Sequence, residues 1–283
     1  MCESVMLDPA KIHQLYDHVT RLGSVAVAFS GGTDSTLLLA FSLRVLGPEH
    51  VLAITADSPT LPRSELAEAK ALAQELGARH LIITTGEMHD TRFVTNPADR
   101  CYYCKQELFT HMRRVADEQG YRHLIYGATA DDVGDYRPGM RAAREAGAVA
   151  PLLEAGLSKQ EVRDLSRQLG LRTWNKPSMA CLASRFPYGT PLTLEGLARV
   201  ERAEEFLRHE LGFRQVRVRD QGAVARIEVE TQELARLVQD PLRSRVIARL
   251  KSLGYTYVTL NLESFRSGSL NDVLRGAGKS TTF

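Results

Sequence analysis

The sequence contains few cysteines, little excess charge and no long apolar run, and each shortage excludes a class of protein. Four cysteines in 283 residues are too few for a disulfide scaffold, so their spacing indicates metal or sulfur chemistry. A formal net charge of +2 argues against holding nucleic acid by bulk electrostatics. No apolar segment approaches the ~20 residues that span a bilayer, and the N-terminal residues lack a leader pattern. We therefore expect a cytoplasmic protein that binds neither nucleic acid nor membrane.

One segment near the N-terminus has the pattern of a phosphate-binding turn. An apolar strand is predicted over residues 25–29, followed by Ser30-Gly31-Gly32-Thr33-Asp34-Ser35 and a helix over residues 36–45. The glycines allow backbone N–H groups to approach an anion, the serine hydroxyls add donors, and the helix directs its positive end to the same place. Because no lysine follows the second glycine, a Walker-type loop is excluded.

The hexapeptide SGGTDS at residues 30–35 resembles the PP-loop of the ATP pyrophosphatases, which cleave ATP between the α- and β-phosphates and activate a carboxylate or carbonyl as an adenylate. The resemblance implies ATP and Mg²⁺ as cofactors, with Asp34 handling the ion at the pyrophosphate. Asp57 is a candidate contact for the adenosine moiety, and Gly127 and Thr129 are candidate contacts for the base. A helix cap is an equally open interpretation of these positions.

Predicted strands alternate with helices through the first part of the chain. Further strands are predicted over residues 51–55, 80–84 and 123–127, with helices over residues 66–76 and 105–119 between them. Ser158 and Glu161 have the spacing of a capping box for a helix that Gly170 ends. This order predicts an α/β fold with a parallel sheet covered on both faces, and a ligand at the carboxyl ends of the strands.

A proline-containing, loop-like segment over residues 175–189 separates this domain from a different pattern. We place the PP-loop domain at residues 1–189 and a smaller α+β domain, for substrate binding and oligomerisation, at residues 190–267. Residues 268–283, rich in glycine and serine, are expected to form a flexible tail. The predicted elements of the second domain are helices over 193–211, 231–239 and 242–253, and strands over 215–219, 225–229 and 255–260.

Three of the cysteines fall on two segments that have the features of functional loops. Cys101 and Cys104 form a CxxC pair at a predicted helix start, and Cys181 lies in the proline-containing loop. A CxxC pair at a helix N-terminus has a lowered thiol pKa and can hold a metal, a cluster or a redox disulfide. The alternative is a pair of partly buried structural thiols. Cys2 is left unassigned.

The order of several motifs resembles that of the LarE family, ATP-dependent sulfurtransferases of nickel-pincer nucleotide cofactor synthesis. The motifs are SGGTDS, NPADRCYYCKQELF, GATADDVGDYRPG, KPSMACLASRFPYG and VRVRDQGAVARIEV, and the match covers most of the chain. The resemblance implies adenylation of a carboxylate of pyridinium-3,5-biscarboxylic acid mononucleotide, followed by replacement of a carboxylate oxygen by sulfur. It also implies a homo-oligomer, with a hexamer as the family precedent, and as partners a sulfide donor and other cofactor-assembly proteins.

The family contains two sulfur-donating mechanisms, and the cysteines of this chain bear on the choice. In one branch a cysteine at the position of Cys181 gives up its own sulfur and becomes dehydroalanine. In a second branch two further cysteines, matched here by Cys101 and Cys104, are thought to complete a [4Fe–4S] cluster with an open iron for exogenous sulfide. We favour the cluster on Cys101, Cys104 and Cys181, because it makes sulfur delivery catalytic. Sacrificial donation from Cys181 is the alternative.

Charged residues in the second half fit a mononucleotide substrate. Arg217 and Arg219 alternate on one strand face and can converge on a phosphate, where the resemblance also places Glu205 and Glu228. A solvated strand face with surface ion pairs is the competing interpretation. Arg185, which follows Cys181, is a candidate to neutralise the adenylate or thiolate. Lys105 is a candidate contact for ATP phosphates, and both are also compatible with ordinary surface residues.

Three other functions are compatible with a PP-loop. A tRNA thiolase combines the loop with a CxxC and a distant cysteine, although no basic RNA-binding appendage is evident here. A synthetase that forms a C–N bond needs ammonia, and no glutaminase domain is visible. An ATP-sensing scaffold that no longer turns over is disfavoured by the intact loop residues. Cleavage of ATP to AMP separates this last possibility from an enzyme.

Overall fold

The chain forms two compact units in a computed structural model that describes residues 8–133, 138–266 and 268–276. Cys2, residues 134–137 of the GATADDVGDYRPG motif and residues 277–283 of the predicted tail lie outside these ranges. The first unit contains Met1–Glu87 and Cys101–Met179, and the second contains Met88–Arg100 and Ala180–Phe283. The predicted boundary at residue 189 lies further along the chain than this division, and the limits of the folding domains remain a prediction.

Seven strands and twelve α-helices are present in the described residues. The strands are β1 Val25–Ala28, β2 Val51–Asp57, β3 Arg79–Thr84, β4 His123–Tyr126, β5 Val216–Gln221, β6 Val224–Val229 and β7 Tyr257–Leu260. The helices are α1 Pro9–Leu22, α2 Thr33–Leu46, α3 Arg63–Glu75, α4 Thr91–Val94, α5 Arg100–Glu118, α6 Pro138–Glu145, α7 Pro151–Glu154, α8 Lys159–Gln168, α9 Leu194–Glu205, α10 Leu234–Leu237, α11 Leu242–Ser252 and α12 Asp272–Gly276. None of the helices described is long and apolar enough to cross a membrane.

The first unit is built on a four-stranded parallel sheet in the order β3-β2-β1-β4. Val25 and Val27 of β1 face one side and belong to a core with residues of α1, α2, α3 and α8. Ala26 faces the other side and belongs to a core with residues of α5 and α6. The near-continuous apolar strands of the sequence are therefore explained by a sheet that is covered on both faces. The predicted α/β class is confirmed.

The second unit contains a three-stranded sheet in the order β5-β6-β7. The β5 and β6 strands form an antiparallel hairpin in which Arg217 lies opposite Glu228 and Arg219 lies opposite Arg226. Val216 and Val218 point to the other face, where they pack with residues of α9 and α11. The smaller C-terminal α+β unit predicted from the sequence is thus present, with Arg217, Arg219, Arg226 and Glu228 on one face of the hairpin.

The short segment from residue 88 to 100 belongs to the second unit although it interrupts the first in sequence. Asn96 is fully buried, and its side-chain amide donates to the carbonyls of Pro187 and Thr190 at 2.7 and 3.0 Å. Its backbone φ of 57° is left-handed, a conformation that asparagine tolerates better than most residues. The Asn96 carbonyl also accepts the Gly189 N–H at 2.8 Å, so this residue links its own segment to residues 187–190 by hydrogen bonds.

The elements of the second unit depart from prediction in detail. The helix predicted over 193–211 is α-helical only to Glu205 and continues as a π-helical turn over Phe206–Glu210. The helix predicted over 231–239 divides into a 3-10 turn, Thr231–Glu233, and α10. Within the predicted tail, the described residues form a 3-10 turn at Ser269–Asn271 followed by α12.

Candidate functional site

The PP-loop residues connect β1 to α2 at the carboxyl edge of the parallel sheet. Gly31 has a φ of 70°, and a Cβ atom there would lie 3.1 Å from the Cα of Ala69 in α3. A side chain at this position is therefore disfavoured by both backbone conformation and packing. Gly32 precedes the first turn of α2 and supplies no side-chain cap. The first backbone N–H groups of α2 have no intrahelical acceptor, so they can bind an anion at this helix terminus.

The two serines of the loop have different roles. Ser35 is buried, and its hydroxyl accepts the Ser30 N–H at 3.2 Å and donates to the Gly32 carbonyl at 3.2 Å. Ser30 is exposed, and its hydroxyl lies 3.1 Å from that of Ser35. Ser35 thus braces the loop from inside, while Ser30 remains at the surface. The Thr33 hydroxyl donates to the Thr173 carbonyl at 2.8 Å.

Lys176 approaches the PP-loop and was missed by the sequence analysis. Its ammonium group donates to the Gly31 carbonyl at 3.0 Å and lies 2.7 Å from a carboxylate oxygen of Glu65. The side chains of Lys176 and Glu65 are only 16% and 13% exposed. A loop without a Walker lysine therefore has a cation from a distant part of the chain. The only available signal was a lysine within the KPSMAC motif, whose partner lies 145 residues away.

The three residues proposed to contact adenosine are explained by local structure. Asp57 is ion-paired with Arg63, which also donates to the Leu61 carbonyl at 2.8 Å. A Cβ atom at Gly127 would lie 2.9 Å from backbone atoms at the start of α2, so this glycine permits close packing behind the PP-loop. Thr129 precedes a 3-10 turn, and its N–H donates to an Asp132 carboxylate oxygen at 3.0 Å. Contacts of these residues with a nucleotide remain predictions.

Cys101 and Cys104 are the second and fifth residues of α5, three residues apart and therefore on one helix face. The Cys101 side chain is exposed and that of Cys104 is partly buried. A position at a helix N-terminus favours the thiolate forms that ligate metal. Lys105, the next residue of the helix, is exposed. Among the residues that the structure describes, no group of three or more histidine, cysteine or acidic side chains is arranged to hold a metal ion. The thiol donors of the CxxC pair fit an iron–sulfur cluster in type, and the cluster itself remains a prediction.

Cys181 belongs to the second unit, immediately before a 3-10 turn at Leu182–Arg185. Its side chain is exposed, whereas Arg185 at the end of the turn is fully buried. The Arg185 guanidinium makes a bidentate pair with Glu204 of α9, at 2.8 Å for both contacts. The Arg185 guanidinium thus binds protein groups, and its role of neutralising the adenylate or thiolate stays a prediction.

Arg217 and Arg219 are only 3% and 7% exposed, so the interpretation as a solvated strand face is wrong for this pair. Arg219 donates to Glu228 through Nε and Nη2, at 3.0 and 2.7 Å, and to the Ser184 carbonyl at 2.7 Å. The Arg217 guanidinium donates to the Val216 carbonyl and stacks 5.1 Å from the centre of the Phe265 ring. Both arginines therefore lie in one buried cluster, on the shared strand face that the alternation predicted.

The cluster carries more positive than negative charge. Its most buried members are Arg185, Arg217, Arg219, Glu204 and Glu228. Burial lowers the pKa of Arg217 to about 9, and the neighbouring Arg185 adds to the effect, while Glu204 opposes it. The lowered pKa means that burial, and then the neighbouring arginines, disfavour the charged guanidinium. A phosphate would stabilise the charged form, because it supplies negative charge and accepts several N–H groups.

Glu204 of α9 belongs to the cluster and was not singled out by the sequence analysis. Burial raises the pKa of Glu204, but Arg185, with Arg208 and Arg217, outweighs this and lowers it to about 2. The Glu204 carboxylate therefore stays ionised throughout the physiological range. Glu205 is partly exposed on α9 and Glu228 is buried, and the expected place of both near the substrate phosphate stays a prediction.

Comparison with known proteins places this geometry in a family. A model of the NAD synthase family matches residues 11–101, which include the PP-loop. Pyridinium-3,5-bisthiocarboxylic acid mononucleotide synthase of Lactiplantibacillus plantarum is 42% identical over 92% of this chain and 93% of that protein. An uncharacterised protein of Synechocystis is 44% identical over 94% of this chain and 98% of that protein. An NH₃-dependent NAD⁺ synthetase of Chlorobaculum tepidum is 36% identical over 26% of this chain and 27% of that protein.

The two relatives of nearly full length match more than nine-tenths of the chain, so the similarity extends through the second unit. ATP and Mg²⁺ are the cofactors that PP-loop membership supports. The chain therefore belongs to the LarE family of ATP-dependent PP-loop sulfurtransferases.

Proposed function

We propose that this enzyme adenylates a carboxylate of pyridinium-3,5-biscarboxylic acid mononucleotide and converts it to a thiocarboxylate for nickel-pincer cofactor synthesis. The observation that carries the proposal is a PP-loop together with a buried arginine cluster and an exposed cysteine, in a chain that matches a mononucleotide synthase over 92% of its length. The PP-loop suits the triphosphate, the cluster suits the phosphate of the mononucleotide, and the thiols suit sulfur delivery.

The proposed reaction has two balanced steps. In the first, a substrate carboxylate oxygen attacks the α-phosphate of ATP, and pyrophosphate leaves with the electron pair of the broken P–O bond. In the second, a sulfur nucleophile attacks the acyl carbon and AMP leaves, which exchanges a carboxylate oxygen for sulfur. A cluster on Cys101, Cys104 and Cys181 would supply exogenous sulfide for this step. In the sacrificial alternative Cys181 attacks, and cleavage of its Cβ–Sγ bond with loss of the Cα proton leaves dehydroalanine.

The reaction is tested with the purified protein, Mg-ATP, sulfide and the biscarboxylic acid mononucleotide. The expected products are AMP, pyrophosphate and a mononucleotide whose mass shows replacement of oxygen by sulfur. Release of ADP would contradict the PP-loop assignment. Formation of AMP with an unchanged mononucleotide mass would support adenylation and reject sulfur transfer.

In the proposed reaction, Lys176 supplies the positive charge that a Walker lysine provides in other phosphate-binding loops. Its ammonium already reaches the Gly31 carbonyl, and Glu65 holds it at the start of α3, close to where phosphate oxygens would approach the loop amides. A charged group at the leaving pyrophosphate stabilises charge that develops as the P–O bond breaks. The carboxylate of Glu65 keeps the lysine side chain in place.

Lys176→Gln is expected to lower ATP–pyrophosphate exchange by roughly ten- to a hundredfold, because a charge-assisted contact contributes about 1.5–3 kcal/mol. Lys176→Arg should retain most of the exchange, since it keeps the charge. Lys159→Gln is the matched control, because Lys159 lies in the same unit and pairs with Asp132 at 3.0 Å. An equal loss of exchange in the Lys159 and Lys176 variants would remove Lys176 from the site.

Arg217→Ala and Arg219→Ala are expected to weaken use of the mononucleotide about ten- to a hundredfold, with little change in ATP binding. The matched control is Arg226→Ala: Arg226 lies on the same face of the hairpin and pairs with Glu228 at 3.1 Å, but its side chain is 41% exposed. Steady-state KM values for both substrates give the comparison. Parallel losses for ATP and mononucleotide would argue against separate phosphate sites.

A further inference from the structure

The backbone around Cys181 is held by arginine side chains. The Nη1 atom of Arg185 donates to the Ala180 carbonyl at 2.7 Å and lies 3.1 Å from the Cys181 carbonyl. The same nitrogen lies 2.9 Å from the Ser184 hydroxyl. One nitrogen atom thus closes the turn on both sides of the cysteine, while the thiol side chain remains exposed.

Arg185 is itself fixed by Glu204. Both side chains are completely buried, and the Nε and Nη2 atoms of Arg185 are taken up by the two carboxylate oxygens. Glu204 also accepts the Val218 N–H at 2.9 Å and a contact from Arg208. The Glu204 carboxylate therefore connects α9 to β5, and Arg185 links the turn that carries Cys181 to both elements.

Arg219 provides a second tether to the same turn. Its Nη1 atom donates to the Ser184 carbonyl at 2.7 Å, and its other nitrogens are bound to Glu228. Arg219 is two residues from Arg217 on the face of β5 that we assign to the substrate phosphate. The cysteine turn and the arginine cluster are thus one hydrogen-bonded assembly within the second unit.

We propose that Arg185, oriented by Glu204, is a positioning residue that fixes the Cys181 thiol relative to the arginine cluster. This assignment rests on the proposed function for its purpose, since a thiol held against a phosphate site suits attack on a mononucleotide anchored by that phosphate. The positioning role differs from neutralisation of the adenylate, because the N–H groups of Arg185 donate to Glu204 and to the turn. A wrong thiol position of about 1 Å can cost a hundredfold in rate.

Arg185→Lys tests the positioning role, because lysine keeps the charge but its single ammonium cannot bridge Glu204 and the carbonyls together. We expect Cys181 to react roughly tenfold faster with iodoacetamide, because the variant loses about two of the hydrogen bonds that hold the turn. Mass spectrometry of peptides measures this rate in the full-length protein, and exposed Cys101 in the same sample is the internal reference. The kcat for sulfur transfer should fall at least tenfold, with the KM for ATP unchanged.

Arg199→Lys is the matched control. Arg199 lies on α9, as Glu204 does, and pairs with Asp220 of β5 through Nε and Nη2 at 3.0 and 2.6 Å. Arg199→Lys weakens the contact between the same helix and strand but removes no hydrogen bond to the cysteine turn. We expect the ratio of Cys181 to Cys101 alkylation to match that of the wild type in this variant, whatever its melting temperature.

Glu204→Gln gives a second measurement if Arg185→Lys does not fold, since it keeps the volume and an acceptor for Val218. This variant should also raise the rate of Cys181 alkylation, because it loses the ion pair that orients Arg185. An unchanged alkylation ratio in a folded Arg185→Lys or Glu204→Gln protein would overturn the proposal, as would an equal rise in Arg199→Lys. If the wild type transfers no sulfur but the ratio still rises in Arg185→Lys, the proposed function fails and the positioning role stands.

Discussion

Asp34→Asn is expected to lower ATP–pyrophosphate exchange by roughly a hundredfold or more and to leave the fold intact. Asp34 is the second residue of α2, where it is partly buried next to the PP-loop glycines. Carboxylate oxygens are ligands that Mg²⁺ prefers, and the ion neutralises the phosphate charge that develops during adenylation. Asparagine keeps the size of the side chain and removes only its charge. Exchange of labelled pyrophosphate into ATP measures the effect.

The control for this prediction must separate metal handling from helix stability. A carboxylate in the first turn of a helix stabilises it by about 0.3–1 kcal/mol, which is too little to unfold the unit. Glu195→Gln removes a carboxylate from the corresponding turn of α9 and should change exchange little. Asp34→Glu should retain more exchange than Asp34→Asn, especially at high Mg²⁺. Full exchange in Asp34→Asn would exclude the residue from the metal site.

The first unit was predictable because its signals are local. Each strand of the parallel sheet is a short apolar run ended by polar or glycine residues, and the helices between them have clear apolar faces. The capping box of Ser158 and Glu161 is present as predicted, with the Ser158 N–H donating to a Glu161 oxygen at 2.8 Å. The positive φ of Gly31 is likewise a property of one residue and its immediate turn.

The contacts that complete the candidate sites are distant in sequence and were not predictable. Lys176 reaches Gly31 across 145 residues, and no periodic pattern connects the two. Asn96 draws its segment into the second unit through contacts with Pro187 and Thr190. Gly127 is explained by the space that the start of α2 leaves for it, which depends on the register of β4 beside β1.

The arginine cluster shows where a correct pattern stops short of an assignment. Alternation along β5 placed Arg217 and Arg219 on one face, and the structure confirms it. The same pattern gave no information on burial. Alternating arginines are also common on exposed strands, whereas these two are buried in a cluster from which water is largely excluded. Glu204 binds both Arg185 and the β5 backbone, and the sequence did not single it out, because no pattern marks its burial.

Cys101→Ala, Cys104→Ala and Cys181→Ala are each expected to abolish iron binding and multiple-turnover sulfur transfer together. A [4Fe–4S] cluster held by three thiolates is labile when one ligand is missing. Anaerobic reconstitution, followed by iron analysis and visible absorption, measures the cluster. The thiocarboxylate formed per chain measures transfer. ATP–pyrophosphate exchange should persist in all three variants, because adenylation uses the PP-loop and not the thiols.

Cys2→Ala is the matched control, since it removes the remaining thiol of the sequence and should leave iron content and transfer unchanged. The stoichiometry of the wild-type product separates the two sulfur sources. Catalytic delivery gives many thiocarboxylates per chain while sulfide lasts, whereas a sacrificial cysteine gives no more than one. If Cys181 becomes lighter by one H₂S after turnover, and Cys101→Ala and Cys104→Ala remain active, Cys181 is the sulfur donor and the cluster assignment is wrong.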